Sequence, residues 1–179
     1  MIVIFVVPTL KNIGPTRQLM MLVSALLKKK NEVHIVTFPR ALLDNEKKED
    51  FIKVGANVYE FQRYRRSIFL NALQFRRLLR EIEFDVVHSH LFFADLVSAL
   101  TTKGDRSIST LRSVPTEELT LKYGAIKGFL ISLVHLWSVK RMQSKIACSD
   151  TVMQYYTSKR IETNTIYNAM PTSLEKFYK

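Results

Sequence analysis

The sequence predicts an α/β protein built on a doubly wound parallel sheet of about seven strands with helices on both faces. Three observations carry this. Short runs rich in Val and Ile alternate with longer segments of helical period along the whole chain. The first run, Ile2–Val7, is apolar at every position, as a central strand covered on both faces must be. A chain of 179 residues with 47% hydrophobic and 24% charged residues has the make-up of one folded domain, spanning 1–179.

After Ile2–Val7 comes a loop, Thr9–Pro15, in which Gly14 is placed just before a helix and Pro15 in its first turn. Leu19, Leu22, Val23, Leu26 and Leu27 then recur at helical spacing, and Lys28, Lys29 and Lys30 sit at the carboxyl end, where the helix dipole favours cations. A second strand, Val33–Phe38, completes a βαβ unit. Gly14 therefore lies at a strand-to-helix turn of the kind whose free N–H groups bind anions, although a plain turn needs a glycine just as well.

Leu42–Val54 reads as a charged surface helix and Asn57–Phe61 as the third strand. The next helix, Ile68–Ile82, is expected to turn Leu70, Leu73, Leu78 and Ile82 inward and Arg76, Arg77 and Arg80 outward. Between Gln62 and Arg80 the chain holds six arginines, including Arg63, Arg65 and Arg66, and no acid. Such a stretch is either a solvated face or a contact for an anionic surface. The net charge of +11 points to an anionic partner of some kind: a lipid surface, a nucleic acid or a phosphorylated ligand.

The fourth strand, Asp85–His90, ends on His88 and His90. Strand side chains alternate, so these two imidazoles share a face. In a parallel sheet the carboxyl ends of strands open into the ligand crevice, which would set the pair at the mouth of a site. A half-buried structural pair is the other reading. With four histidines, one cysteine and no third ligand close by, a metal is not indicated.

A helix from Ala94, a fifth strand, Ser107–Leu111, and the polar exit Arg112-Ser113 follow. A long helical region from Pro115 to about Gln143 has Gly124 and Gly128 as possible breaks. Its apolar residues cover more than one stripe, the pattern of a well-buried helix. Lys145–Ser149 is the sixth strand, with Ser149 or Asp150 capping the helix Thr151–Arg160, and Thr165–Tyr167 is a short seventh. The lone Cys148 excludes an internal disulfide and suits a reducing compartment. The apolar start lacks the basic region and cleavage site of a signal peptide, and Ala125–Val139, with Lys127 and His135 inside it, is too short to span a bilayer.

Four motifs taken together carry a family resemblance. They are the first loop with Gly14 and Arg17, the Asp-Val-Val-His-x-His strand of Asp85–His90, the strand Ile146–Asp150 that ends in serine and opens a helix, and the exit Ile166–Met170 with Phe177. In this order they resemble the amino-terminal half of a retaining GT-B glycosyltransferase of glycosyltransferase family 4, a Rossmann-like domain. Ile13 stands where the family usually has a second glycine, Ala169 replaces the exit glycine, and Arg112 stands where many members carry histidine.

The resemblance implies that this half holds a sugar or lipid-linked acceptor. The nucleotide-sugar donor would bind in a carboxyl-terminal half that the chain lacks, so that the domain alone binds no cofactor and is inactive. It implies catalytic positions for His90, facing the transferred sugar, and His88, supporting it. Gly14, Arg17, Arg112 and Asn168 become candidates for acceptor or diphosphate contacts. Cell-surface polysaccharide or glycolipid synthesis, on the cytoplasmic side and peripheral to the inner face of the membrane, is the setting it suggests, with Arg63, Arg65, Arg66, Arg76, Arg77 and Arg80 facing the lipid. The alternative is a stand-alone Rossmann-like module for a nucleic acid, a lipid surface or a phosphorylated ligand. Few aromatics interleave the arginines and no nucleic-acid motif is present, which argues against nucleic acid. An oxidoreductase is excluded by the absence of G-x-G-x-x-G at the first turn.

Overall fold

The computed structural model describes residues 1–39, 42–61, 67–102 and 106–169. Seven strands form one sheet, β1 (Ile2–Val7), β2 (Glu32–Thr37), β3 (Asn57–Glu60), β4 (Val86–His90), β5 (Ser107–Leu111), β6 (Ser144–Ala147) and β7 (Asn164–Thr165). Their order is β3-β2-β1-β4-β5-β6-β7, and every pair is parallel. The chain winds outward from β1 in one direction, then returns to β4 on its other side. The β1/β4 junction is therefore the switch point, outside which a crevice must open.

The two faces of β1 feed two cores. Val3, Phe5 and Val7 pack with Leu19 and Val23 of α1 (Gly14–Lys28) and Phe51 of α2 (Lys48–Lys53). Ile4 and Val6 pack with Phe75 and Leu78 of α3 (Ile68–Glu81) and Ala94 and Val97 of α4 (Phe92–Thr101). This explains why Ile2–Val7 had to be apolar throughout: neither of its faces meets water. α5 (Pro115–Tyr123), α6 (Ala125–Lys140) and α7 (Asp150–Ser158) serve the β5–β7 side, where Val139 and Tyr156 close a third cluster over Leu111 and Ala147.

Three expectations are corrected. The segment Leu42–Val54 is not one helix but a 3-10 turn, Leu42–Asn45, followed by α2. Asn45 is buried and its side chain bonds the Leu10 amide (2.9 Å), the Thr37 hydroxyl (2.8 Å) and Glu60 (2.6 Å). Those bonds to neighbouring strand ends and loops compete with helix continuation. In α3 the inner face is Asn71, Ala72, Phe75 and Leu78, whereas Leu70 and Leu73 are 44% and 46% exposed. Seating Phe75 at the centre of the face places Leu73 roughly 160° round the helix, on the outside. Finally, the region after Pro115 breaks at Gly124, one of the two expected positions, whose φ of 83° suits glycine, but Gly128 lies inside α6, and Phe129, Leu130, Leu133, Val134 and Trp137, expected to be buried, are exposed.

Candidate functional site

β4 carries a different chemistry on each face. Val87 and Ser89 turn toward α4, while His88 and His90 turn toward Phe5, whose ring centroid lies 5.2 Å and 5.9 Å from theirs. The two imidazoles are 4.6 Å apart. His88 Nε2 pairs with the Thr110 hydroxyl of β5 at 2.7 Å. His90 Nδ1 accepts from Arg112 at 3.2 Å, and Arg112 also donates to the Asn168 side-chain oxygen at 3.1 Å. The ends of β4 and β5 and the exit after β7 are thus laced together through one guanidinium.

Both histidines are buried, at 8% and 3% exposure, so they lie beneath the crevice and not at its mouth. Burial lowers the His88 pKa to about 4, with the Asp95 carboxylate opposing and Arg112 adding to the shift. Burial, then His88 and Arg112, holds His90 well below the ordinary histidine range. Both rings are neutral near neutral pH. With Nδ1 of His90 accepting from Arg112, its proton resides on Nε2, which has no partner. His90 lines a narrow gap with Ile13, Pro15 and Thr16 at the start of α1 and with Leu91.

Leu91 itself has φ 73° and ψ 155°, a strained backbone for a side chain of its size. It turns the chain from the end of β4 into α4. Beside it opens a cleft of about 470 Å³ over the ends of β1, β4 and β5, lined by Lys11, Thr110, Arg112, Glu118, Lys122 and His135 among others. Among the described residues no carboxylate forms an ion pair with Arg112. Burial lowers its pKa somewhat from the usual guanidinium value. A cation held by neutral partners at the edge of a cleft is suited to an anionic or hydroxyl-rich ligand.

The remaining candidates scatter. Gly14 is the first residue of α1 and not the residue before it, and a Cβ there would meet nothing within 4 Å. α1 begins after Ile13 with no side-chain cap and no acid in its first turn, leaving a positive helix end beside His90. Arg17 bonds Asn12 at 3.1 Å and lines a separate hollow with Lys47, Asp50 and Phe51, apart from the histidines. Arg76, Arg77 and Arg80 are exposed on α3, beside the exposed Phe69, Leu70 and Leu73. Arg63, Arg65 and Arg66 lie outside the described residues.

Sequence reading missed a second polar system, on the other face of β4. Asp95 of α4, 1% exposed, accepts from Ser89 (2.6 Å) and Ser109 (2.8 Å), and its other oxygen pairs with His135 Nε2 of α6 (2.9 Å). Asp95 and His135 both border the 470 Å³ cleft. The one available cue was a single acid in the otherwise uncharged helix Phe92–Thr101.

With this geometry in view, the comparisons decide the family. The model of glycosyltransferase family 4 matches residues 14–174. The chain belongs to this family. No curated protein sequence matches it. Among solved structures, Anabaena Alr3699/HepE in complex with UDP is similar over 97% of this chain and 46% of that one, at 16% identity and a TM-score of 0.72. Sucrose-phosphate synthase from Thermosynechococcus elongatus is similar over 97% of this family 4 chain and 50% of its own, at 12% identity and a TM-score of 0.70. A glycosyltransferase from Rickettsia africae ESF-5 is similar over 98% and 48%, at 17% identity and a TM-score of 0.60. The family 4 chain thus spans about half the length of these structures, and the likeness is one of fold: a Rossmann-like sheet with helices on both faces, as the motifs led us to expect.

Proposed function

We infer that this family 4 chain is the acceptor-binding amino-terminal domain of a retaining glycosyltransferase that uses a nucleotide-sugar donor. The observation that carries the reading is Arg112: a cation with neutral partners, set where the ends of β4 and β5 meet a cleft large enough for sugar rings. In this reading the acceptor occupies the cleft. The uncapped start of α1 at Gly14 offers N–H groups to the diphosphate. The transferred sugar lies over the narrow gap that His90 lines with Ile13, Pro15 and Thr16, which must open for the buried Nε2 proton of His90 to reach it, and His88 with Thr110 supports His90 from below. Asn168 orients Arg112.

The donor would be supplied by a carboxyl-terminal domain, and the chain alone would be inactive, because transfer requires the donor to be held against the acceptor with positive groups at the leaving diphosphate. Cell-surface polysaccharide or glycolipid synthesis at the inner face of the membrane is the setting that the family resemblance suggests, and the net charge of +11 supports the membrane part of it. Arg76, Arg77 and Arg80 on α3, each adding about 1 kcal/mol near an anionic leaflet, would hold the protein there peripherally. Among the described residues no helix is long and apolar enough to cross a membrane.

The test is kinetic. In the longer polypeptide proposed here, Arg112→Gln should lower kcat/KM by at least about tenfold, the effect of losing one charged hydrogen bond, and the 179-residue chain alone should transfer no sugar. Transfer by the isolated chain, or an unchanged kcat/KM in the variant, would overturn the assignment.

A further inference from the structure

Helix α6 is turned inside out. Its buried residues are Gly128, Ser132, His135, Ser138 and Val139, mostly small or polar. Ile126, Phe129, Leu130, Leu133, Val134 and Trp137 face outward, between 43% and 82% exposed. A surface helix normally does the reverse. Two contacts fix this rotation. Gly128 lies against the α5 backbone, where a Cβ would come within 2.3 Å of the Leu119 carbonyl oxygen. His135 is tied to buried Asp95. Rotating α6 to bury its large side chains would break both, so the apolar stripe is a fixed outer surface.

A contiguous apolar surface of this kind marks an interaction face, and the charges around it select the occupant. From Leu119 to Ser149 the chain holds Lys122, Lys127, Lys140, Arg141 and Lys145, and no acid. Arg141 lies 5.3 Å over the Trp137 ring and Lys122 lies 5.5 Å over Tyr123. Cations therefore accompany aromatic rings at both ends of the stripe, the arrangement that suits a boundary between apolar chains and anionic headgroups. The neighbouring α4 packs between α6 and α3. It exposes Leu100 and keeps its one charged residue, Asp95, buried. The layer thus runs from the basic α3 to the apolar α6 without an exposed acid on α4.

We propose that the outer face of α6 inserts into the surface of an anionic bilayer, lying in its plane with the Ile126–Trp137 stripe toward the acyl chains. This rests on the membrane part of the reading above but assigns the apolar contact to a different helix; α3 supplies charge and α6 supplies insertion.

Trp137 is the single tryptophan of the chain, so its fluorescence reports this face alone. The 179-residue chain is mixed with phosphatidylcholine vesicles, with and without phosphatidylglycerol, and with the same lipids carrying brominated acyl chains. The anionic vesicles should shift Trp137 emission to the blue, and brominated chains should quench it. Leu130→Ser with Leu133→Ser, both exposed, should lower partitioning about tenfold at unchanged circular dichroism. Arg76→Gln, Arg77→Gln and Arg80→Gln together should weaken partitioning while the bound fraction keeps its blue-shifted emission. Protein that pellets with vesicles while Trp137 emission stays unchanged overturns the insertion and leaves the arginine reading standing. Absence of any binding overturns both. A blue shift that grows with protein concentration without vesicles assigns the face to a second copy of the chain and overturns the lipid proposal.

Discussion

Acidifying the protein from about pH 7 to about pH 5 should remove roughly 2 kcal/mol of stability through His88 alone. In the fold His88 is protonated only near pH 4, because burial against Phe5 and His90 disfavours the charged ring. In the unfolded chain it takes its proton near 6.5. Between these values the unfolded state binds more protons, so the stabilisation is complete above about 6.5 and is lost progressively as the pH falls toward about 4. A full shift of this size corresponds to on the order of 3 kcal/mol, of which the interval from 7 to 5 samples about two thirds. His90 acts in the same direction. Urea unfolding at the two pH values, on the chain and on His88→Gln, measures it. The variant keeps a polar group for Thr110 but cannot titrate, and should lose about 2 kcal/mol less than the parent. Equal losses in both proteins, or an imidazole proton resonance of His88 with its midpoint near 6.5, would refute the argument.

Two further substitutions test the packing that holds the site. Gly128→Ala should cost about 1–3 kcal/mol in urea unfolding, since its Cβ would meet α5 backbone atoms that cannot swing aside, which outweighs the gain in helix propensity. Asp95→Ala should cost about 3 kcal/mol by the same assay, because it leaves the Ser89 and Ser109 hydroxyls and His135 Nε2 without their buried partner.

The strands were readable because burial on two faces leaves no choice but β-branched and apolar residues, and β1, β4 and β5 were placed to within a residue or two. The shared face of His88 and His90 was readable for the same geometric reason. Their depth was not, since it depends on Phe5 and α1 closing over them. Helix rotation was harder. In α3, Leu and Phe are equally apolar in a pattern, and the depth of the Phe75 seat decides between them. In α6 the small and polar residues form the inner side because neighbouring backbones and Asp95 come close, and Asp95 lies 40 residues away in sequence. The Leu42–Val54 segment failed as one helix because Asn45 bonds to Thr37, Glu60 and the Leu10 amide.

The two-sidedness of β4 has a consequence for how the domain can change. Five residues serve as a wall between the imidazole side and the Ser89–Asp95–His135 side, and each side is matched to partners on different helices. Sliding the strand by one position would exchange the walls at a stroke, presenting hydroxyl to Phe5 and imidazole to Asp95. Point substitutions can retune either compartment separately, whereas an insertion or deletion within the strand would ruin both. Length variation is thereby confined to the loops at the two ends of β4, and at its carboxyl end even that freedom is narrowed by the Leu91 turn.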